Sequence, residues 1–357
     1  MFMDSAQNTT SIEFQIQKLE EKVKAAKLPS DLGEKINGML ALLKAGLSSQ
    51  GASFVYYESV ARYINWVVLL PFEKFTQDKL DLNLAKQTLD KNHYGLQSVK
   101  DKILEYLAAL MLNLKNPEHS MTHAPSLCLI GLVGTGKTTL AYSIAESLGR
   151  KFERIPFGGM GDARALRGQS RAFSDAEPGL IVKKIVHAAS KNAVILLDEL
   201  DRVTDAARAD IMGVLVELLD PGQNKGFLDH YIDYPVDLSN VLFIATANNT
   251  TNISTAVLDR LEIVQMPSYS DEEKLVIAKT YLFPKIRAEN GLAQNQLTIE
   301  DSLWPVIIRP LGFDSGIRSL ERSIEGICRK TARLIIENKA PNGVGVTSQN
   351  LRQFLPA

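Results

Sequence analysis

The sequence predicts an α/β protein: a parallel sheet with helices on both faces, preceded by an N-terminal helical bundle and followed by a small helical domain. Three observations carry that prediction. Between residues 12 and 70, apolar residues recur at helical spacing in three separate stripes. From about Lys91 to Met266, short and nearly continuous apolar runs alternate with helical stretches, as in strands that helices cover on both faces. One of those runs, Leu127 to Ile130, leads directly into the glycine-rich Gly131–Thr138, and a helical pattern opens near Lys137. The chain divides accordingly into a helical region 1–90, a large α/β domain 91–267 and a small helical domain 268–357.

The N-terminal elements come first. Thr10 to Glu13 reads T-x-x-E, a capping box, and Ile12, Ile16, Leu19, Val23 and Ala26 follow on one stripe until Pro29 and Ser30 break it. A second stripe, Ile36, Met39, Leu40 and Leu43, ends at Gly46. A third, with Tyr56, Val60, Tyr63, Ile64 and Val67, runs from about Phe54 to Leu70, where Pro71 stops it. Three short amphipathic helices in so few residues need a neighbour to be stable.

The strand candidates are Leu127–Ile130, Phe152–Phe157, Ala193–Leu197, Val241–Thr246 and Glu262–Met266. After the connection Pro267–Ser270, Asp271-Glu272-Glu273 enriches a first helical turn in acid, as the helix dipole favours. From there to about Ile336 the pattern is helical.

Composition narrows the classes. The 357 residues carry a net charge of −1, so the total offers no general attraction to nucleic acid or an anionic membrane. No apolar run reaches the roughly 18 residues that span a bilayer. Met1–Thr10 has neither a basic residue nor an apolar core, and the first arginine is Arg62, so neither a signal peptide nor an Arg-rich transit peptide is expected. Cys128 and Cys328 fall in a strand pattern and a helix pattern and make no disulfide framework. The expected compartment is reducing, the cytoplasm by default, with a matured organellar protein as the alternative.

The stretch Gly131-Leu132-Val133-Gly134-Thr135-Gly136-Lys137-Thr138 reads G-x-x-x-x-G-K-[ST]. Between a strand and a helix that pattern is a phosphate-binding loop: glycines let backbone N–H groups converge on phosphate oxygens, and the helix presents its positive end to them. Lys137 would add a charge at the β- and γ-phosphates, and Thr138 a hydroxyl ligand for Mg²⁺. These residues, with Thr139, are the candidate ATP-binding set.

A second strand, Ala193–Leu197, delivers Asp198 and Glu199 at its end. Behind a phosphate loop, the first acid holds Mg²⁺ and the second polarises the attacking water as general base. The apolar run Val241–Ala247 ends at Asn248, whose amide would orient that water or sense the γ-phosphate, or else cap the turn at Asn249-Thr250. Leu258-Asp259-Arg260 and Ser315-Gly316-Ile317-Arg318 each offer an arginine that spacing alone leaves on the surface.

These residues resemble one family closely. Asp198-Glu199-Leu200-Asp201, Leu218-Leu219-Asp220-Pro221, Phe227-Leu228-Asp229-His230-Tyr231 and Leu258-Asp259-Arg260-Leu261-Glu262 look like the ATPase module of the Lon (endopeptidase La) proteases, which are AAA+ proteins. His93-Tyr94-Gly95-Leu96 looks like the segment that frames the adenine, and Tyr63-Ile64-Asn65-Trp66 with Leu70-Pro71-Phe72 resembles the helical region ahead of the ATPase. The resemblance covers roughly residues 12 to 357. It implies an AAA+ nucleotide domain with a helical lid, Asn248 as sensor 1 and Arg318 as sensor 2. It implies also that Arg260 is an arginine finger acting in trans, in a homo-oligomeric, hexameric ring.

Gly158-Gly159, Asp162, Arg167-Gly168, Arg171 and Pro178-Gly179 match the family's first pore loop, and Phe173 stands where the family has its substrate-gripping tyrosine. Ser174 replaces an aliphatic residue there, and Asp175-Ala176-Glu177 replaces a neutral stretch. Two added acids per subunit are expected to ring the pore with negative charge. A buried loop anchor is the other reading of Phe173.

The family's Ser-Lys peptidase domain has no counterpart here, although Thr347–Ala357 resembles the last helix before it. There is no G-x-S-x-G elbow and no H-E-x-x-H, and His119, His123 and Cys128 make a poor zinc site. The chain itself is therefore not expected to cut peptides, whether it is a portion of a protease or an ATPase-only relative that works with a peptidase domain or subunit. The leading expectation is an ATP-driven unfoldase acting on unfolded polypeptide. A DNA-remodelling ATPase would want a basic pore, which Asp175 and Glu177 oppose, and a low-turnover scaffold would not need the Asp198-Glu199 pair and Arg260.

Overall fold

The computed structural model describes residues 3–48, 54–115, 125–309 and 316–355. The chain opens with helices α1 (Met3–Ala25), α2 (Ser30–Ser48) and α3 (Phe54–Leu69). Their stripes meet as expected, with Leu19, Ile36, Leu40, Tyr63, Ile64 and Val67 all buried. Because α1 already begins at Met3, the T-x-x-E of Thr10–Glu13 lies within the helix and does not start it. The neighbour this bundle needs is the α/β domain. Its apolar cluster is continuous with one face of the sheet, and the buried Tyr63 hydroxyl donates to the Ile232 carbonyl at 3.1 Å.

Helices α4 (Leu82–Asn92) and α5 (Gln97–Lys115) follow, α4 capped by Asp81, which accepts from the N–H groups of Asn83 and Leu84. Ala85 and Leu89 of α4 belong to the core on the other sheet face, so this layer starts ahead of the expected boundary at residue 91.

Five parallel strands then form the sheet: β1 (Ser126–Ile130), β2 (Phe152–Pro156), β3 (Val194–Asp198), and, after a small hairpin of β4 (Phe227–Asp229) and β5 (Tyr234–Val236), β6 (Leu242–Ala247) and β7 (Leu261–Gln265). Each expected strand lies within a residue of its predicted span. The order across the sheet is β2-β3-β6-β1-β7. The near-continuous apolar runs have a simple cause. Cys128, Ile130, Ile195, Leu197 and Phe243 point into one core, whereas Leu127, Leu129, Leu196, Leu242 and Ile244 point into the other.

Helices α6 (Lys137–Leu148), α7 (Arg164–Arg167), α8 (Leu180–Ala188), α9 (Arg208–Leu219) and α10 (Thr255–Leu258) connect these strands. The hairpin β4–β5 is antiparallel and was not expected from the sequence.

Beyond β7 the small domain begins with α11 (Asp271–Val276). Its acidic first turn completes a capping box between Ser270 and Glu273. A π-helical turn, Ile277–Leu282, leads into α12 (Phe283–Glu289). Then come β8 (Leu297–Ile299), α13 (Trp304–Ile308), α14 (Arg318–Ile336), β9 (Val344–Val346) and α15 (Leu351–Phe354). This domain is not wholly helical as expected, since β8 and β9 pair in parallel. Cys128 and Cys328 are buried and unbonded, in β1 and α14. Among the described residues, no helix is long and apolar enough to cross a membrane. His119 and His123 lie outside the described residues.

Candidate nucleotide site

Crevices in open parallel sheets form beyond the carboxyl ends of the strands, and here three strand ends meet. β1 runs into Gly131, β3 ends at Asp198 and β6 ends at Ala247, next to Asn248. They floor a cleft of about 490 Å³ that Val133, Gly134, Gly136, Lys137, Thr138, Thr139, Asp198, Glu199, Asn248 and Arg318 line. Tyr94 closes one side of it, its ring 6.2 Å from that of Tyr281 on the π-helical turn. Gly131, Leu132 and Thr135 do not line it; Leu132 is exposed, and the buried Thr135 donates its hydroxyl to the Leu132 carbonyl at 2.9 Å.

The loop's shape depends on its glycines. Gly136 stands at the start of α6 with φ +90°, a left-handed conformation that a side chain would strain. Lys137 folds its ammonium over the loop, donating to the carbonyls of Gly131 (2.5 Å) and Leu132 (3.0 Å) and to Asn248 Oδ1 (3.2 Å). Burial lowers the pKa of Lys137 from its usual value, against the opposing pull of Asp201, Asp198 and Glu199.

Asp198 is only 4% exposed. Its Oδ2 accepts from Arg154 at 2.6 Å, and its Oδ1 accepts from the Thr246 hydroxyl. That same hydroxyl accepts the Glu199 backbone N–H at 3.0 Å, so one threonine ties both acids to β6. Glu199 sits at φ +61°, outside the usual range for a residue with a side chain, and its carboxylate lies against Gly158. A Cβ at Gly158 would come 2.7 Å from Glu199 Oε2.

Asn248 is held by a residue that sequence reading did not single out. Asp201 accepts its backbone N–H at 3.1 Å and its amide Nδ2 at 3.2 Å, which turns Oδ1 towards Lys137. Asp201, Arg154 and Thr246 were all missed; the signal for Asp201 was its place in the Asp-Glu-Leu-Asp run.

Arg318 begins α14, and the preceding turn docks on the phosphate loop. The Ile317 N–H donates to the Gly134 carbonyl at 3.0 Å, and a Cβ on Gly316 would meet the Val133 carbonyl oxygen at 2.4 Å. Arg260 is not brought to this cleft. Its guanidinium binds Asp220 at 3.0 Å and the Ala256 carbonyl at 2.8 Å.

Phe173 is 61% exposed, so it is no buried anchor. Of the two acids beside it, Asp175 is exposed, whereas Glu177 binds Lys183 at 2.5 Å, and that bond lowers the Glu177 pKa. Among the described residues Asp175 has no ion-pair partner, whereas Glu177 has Lys183.

Two family models match the chain. The family "ATPase family associated with various cellular activities (AAA)" matches residues 127–269, and the "Lon protease AAA+ ATPase lid domain" matches residues 288–344. The chain is similar to a Lon protease of Lawsonia intracellularis, at 41% identity over 96% of this chain and 40% of that protein. It is similar to a Lon protease of Desulforamulus reducens, at 45% identity over 83% of this chain and 36% of that protein. Lon protease 1 of Bacillus subtilis is 42% identical over 96% of this chain and 43% of its own length. The chain thus spans about 40% of the first of these relatives.

Proposed function

The chain belongs to the Lon protease family through its AAA ATPase and lid domains, and from that premise we propose that it is the motor of an ATP-dependent protease, unfolding and translocating polypeptide. The observation that carries the reading is the meeting of Lys137, Asp198, Glu199 and Asn248 in one cleft beside the phosphate loop.

In this reading ATP lies with its phosphates on residues 131–139 and its base beside Tyr94. Thr138 and Asp198 offer hydroxyl and carboxylate oxygens, the hard donors that Mg²⁺ prefers, so the residues fit that ion. Bound there, Mg²⁺ would offset phosphate charge. Lys137 adds a second positive charge, and Arg318 a third from the lid. Glu199 takes the proton of the attacking water, which Asn248 orients. Arg260 completes the site of the next subunit in a hexameric homo-oligomer, where its charge stabilises the transition state. Phe173 grips the threaded chain. Peptide cleavage belongs to a peptidase domain or subunit, not to these residues, and the two unbonded thiols suit the cytoplasm.

The test pairs two variants. Glu199→Gln should bind ATP with Mg²⁺ yet hydrolyse it at least about 100-fold more slowly, within the range for loss of a general base. Lys137→Ala should lose nucleotide binding itself. Near wild-type hydrolysis by Glu199→Gln would sink the assignment of the base. An ATPase rate indifferent to unfolded polypeptide would remove the motor reading and leave a scaffold.

A further inference from the structure

We infer that Arg171 is a positioning residue for the Phe173 loop, and that the N-terminal bundle holds it in place through Tyr63. The inference rests on the proposed role of Phe173 as a polypeptide contact.

The loop has little structure of its own at its tip. Phe173 donates its N–H to Ser170 O at 3.1 Å, and Ala176 donates to Phe173 O at 3.3 Å, which are turn contacts only. Its base is anchored differently. The buried Asp229 carboxylate accepts the Gly179 N–H at 2.7 Å, and Gln169 N–H donates to Glu177 O at 3.2 Å. What fixes the tip must come from outside the loop.

Arg171 is the residue that reaches out. Its guanidinium carbon stands 4.0 Å from the centre of the fully buried Tyr63 ring on α3, a cation–π contact. One terminal nitrogen is 3.8 Å from the Asp233 carboxylate. Lys35 of α2 holds that carboxylate at 2.9 Å and donates to the Asp233 carbonyl at 3.1 Å. Asp233 has φ +50°, a left-handed conformation that aspartate tolerates, in a turn closed by its N–H bond to the Asp229 carbonyl at 2.8 Å. Tyr63 also reaches that turn, through its bond to Ile232 O at 3.1 Å. Two helices of the bundle therefore grip both the Phe173 loop and the turn of the hairpin β4–β5.

Gly168 to Phe173 face Leu228, His230 and Asp233 across an open basin of about 660 Å³. A polypeptide entering that basin meets Phe173 at a position set by Arg171. Loss of Arg171 frees the tip, and binding must then order it again, which weakens capture without altering the strand ends where ATP is cleaved.

The experiment measures ATPase activity against increasing carboxymethylated lactalbumin, a permanently unfolded polypeptide. Arg171→Gln should raise the half-saturating concentration roughly 2- to 30-fold, the factor a cation–π contact is worth, with the maximal stimulated rate held within about twofold. Tyr63→Phe keeps the ring but loses the bond to Ile232 O, so it should melt lower than the wild type yet raise the half-saturating concentration less than Arg171→Gln, and Arg171→Gln added to Phe173→Ala should change nothing further. Melting temperatures check that each variant is folded. A wild-type half-saturation in Arg171→Gln, while Phe173→Ala abolishes stimulation, overturns the positioning role alone. If Phe173→Ala leaves stimulation intact, or lactalbumin does not stimulate the wild-type chain, both readings fall.

Discussion

Arg154 and Asp198 form a fork on a single oxygen: both Nε and a terminal nitrogen of the guanidinium lie 2.6 Å from Oδ2. Arg154 is on β2 and Asp198 ends the neighbouring β3, where Pro156 pairs with Asp198 in the register. The arginine is 51% exposed at its side chain and lines the cleft, whereas the carboxylate is buried. The acid proposed to hold the metal ion thus already has a cationic partner on its open side.

Removing that partner leaves a buried carboxylate short of charge compensation. Because Arg154 is half exposed, the cost falls below that of a fully buried pair; Arg154→Ala should lose about 1–2 kcal/mol of stability. In the proposed reading Mg²⁺ with nucleotide would bring positive charge to the same carboxylate and should recover much of the loss. Denaturant melts with and without Mg²⁺ and nucleotide check this. An equal deficit under both conditions would overturn the proposal that Asp198, beside Arg154, holds the ion.

Thr246 carries a second dependency. Its hydroxyl donates to Asp198 and accepts from the Glu199 N–H, so Thr246→Val strands a buried acceptor and a backbone donor with nearly unchanged shape. The expected cost is about 1–3 kcal/mol, with a fall in ATP turnover as Glu199 loses support for its left-handed backbone. Thr246→Ser keeps the hydroxyl and should restore both. Unfolding curves and ATPase rates read the two effects separately.

These partners also mark where the sequence stopped being legible. Asp198 could be read because an apolar run delivers it, and the five strands because both faces are buried. Thr246 and Arg154 act on Asp198 only through the order β3-β6 and β2-β3, a register that no local pattern contains. Strands β4, β5, β8 and β9 span three residues each, too short to express a period. The T-x-x-E at Thr10 has the chemistry of a helix start but lies inside α1, because a capping pattern does not stop a helix already running. Arg260 matched a motif, yet the cleft of its own chain excludes it.

His93 makes stability depend on pH. It is buried beside the cleft with Nε2 3.0 Å from the Ser143 hydroxyl. Burial first, and the nearby Lys100 second, push its pKa down to about 4. Below the ordinary value near 6.5 the unfolded chain takes up a proton that the folded chain refuses. Stability should therefore fall as pH drops from 6.5 towards 4, by at most about 1.4 kcal/mol per pH unit from this group. His93→Gln cannot titrate and should flatten that slope in denaturant titrations across the window. Identical slopes would mean that His93 takes up its proton as readily in the folded chain as in the unfolded one.

Arg260 lies away from the cleft of its own chain, held by Asp220 and the Ala256 carbonyl, so its proposed role demands a neighbour. Activity per subunit should then rise with protein concentration as rings assemble. The decisive measurement mixes two inactive variants. Arg260→Ala subunits keep an intact Glu199 site, and Glu199→Gln subunits keep an arginine to donate. Where the first sits next to the second in a ring, a complete site forms only if the arginine crosses the interface. Mixed rings should therefore hydrolyse ATP faster than either variant alone, with the gain tracking the fraction of such interfaces. If the arginine served its own subunit, every site in the mixture would lack one group. No gain in rings shown to contain both variants would end the trans assignment of Arg260.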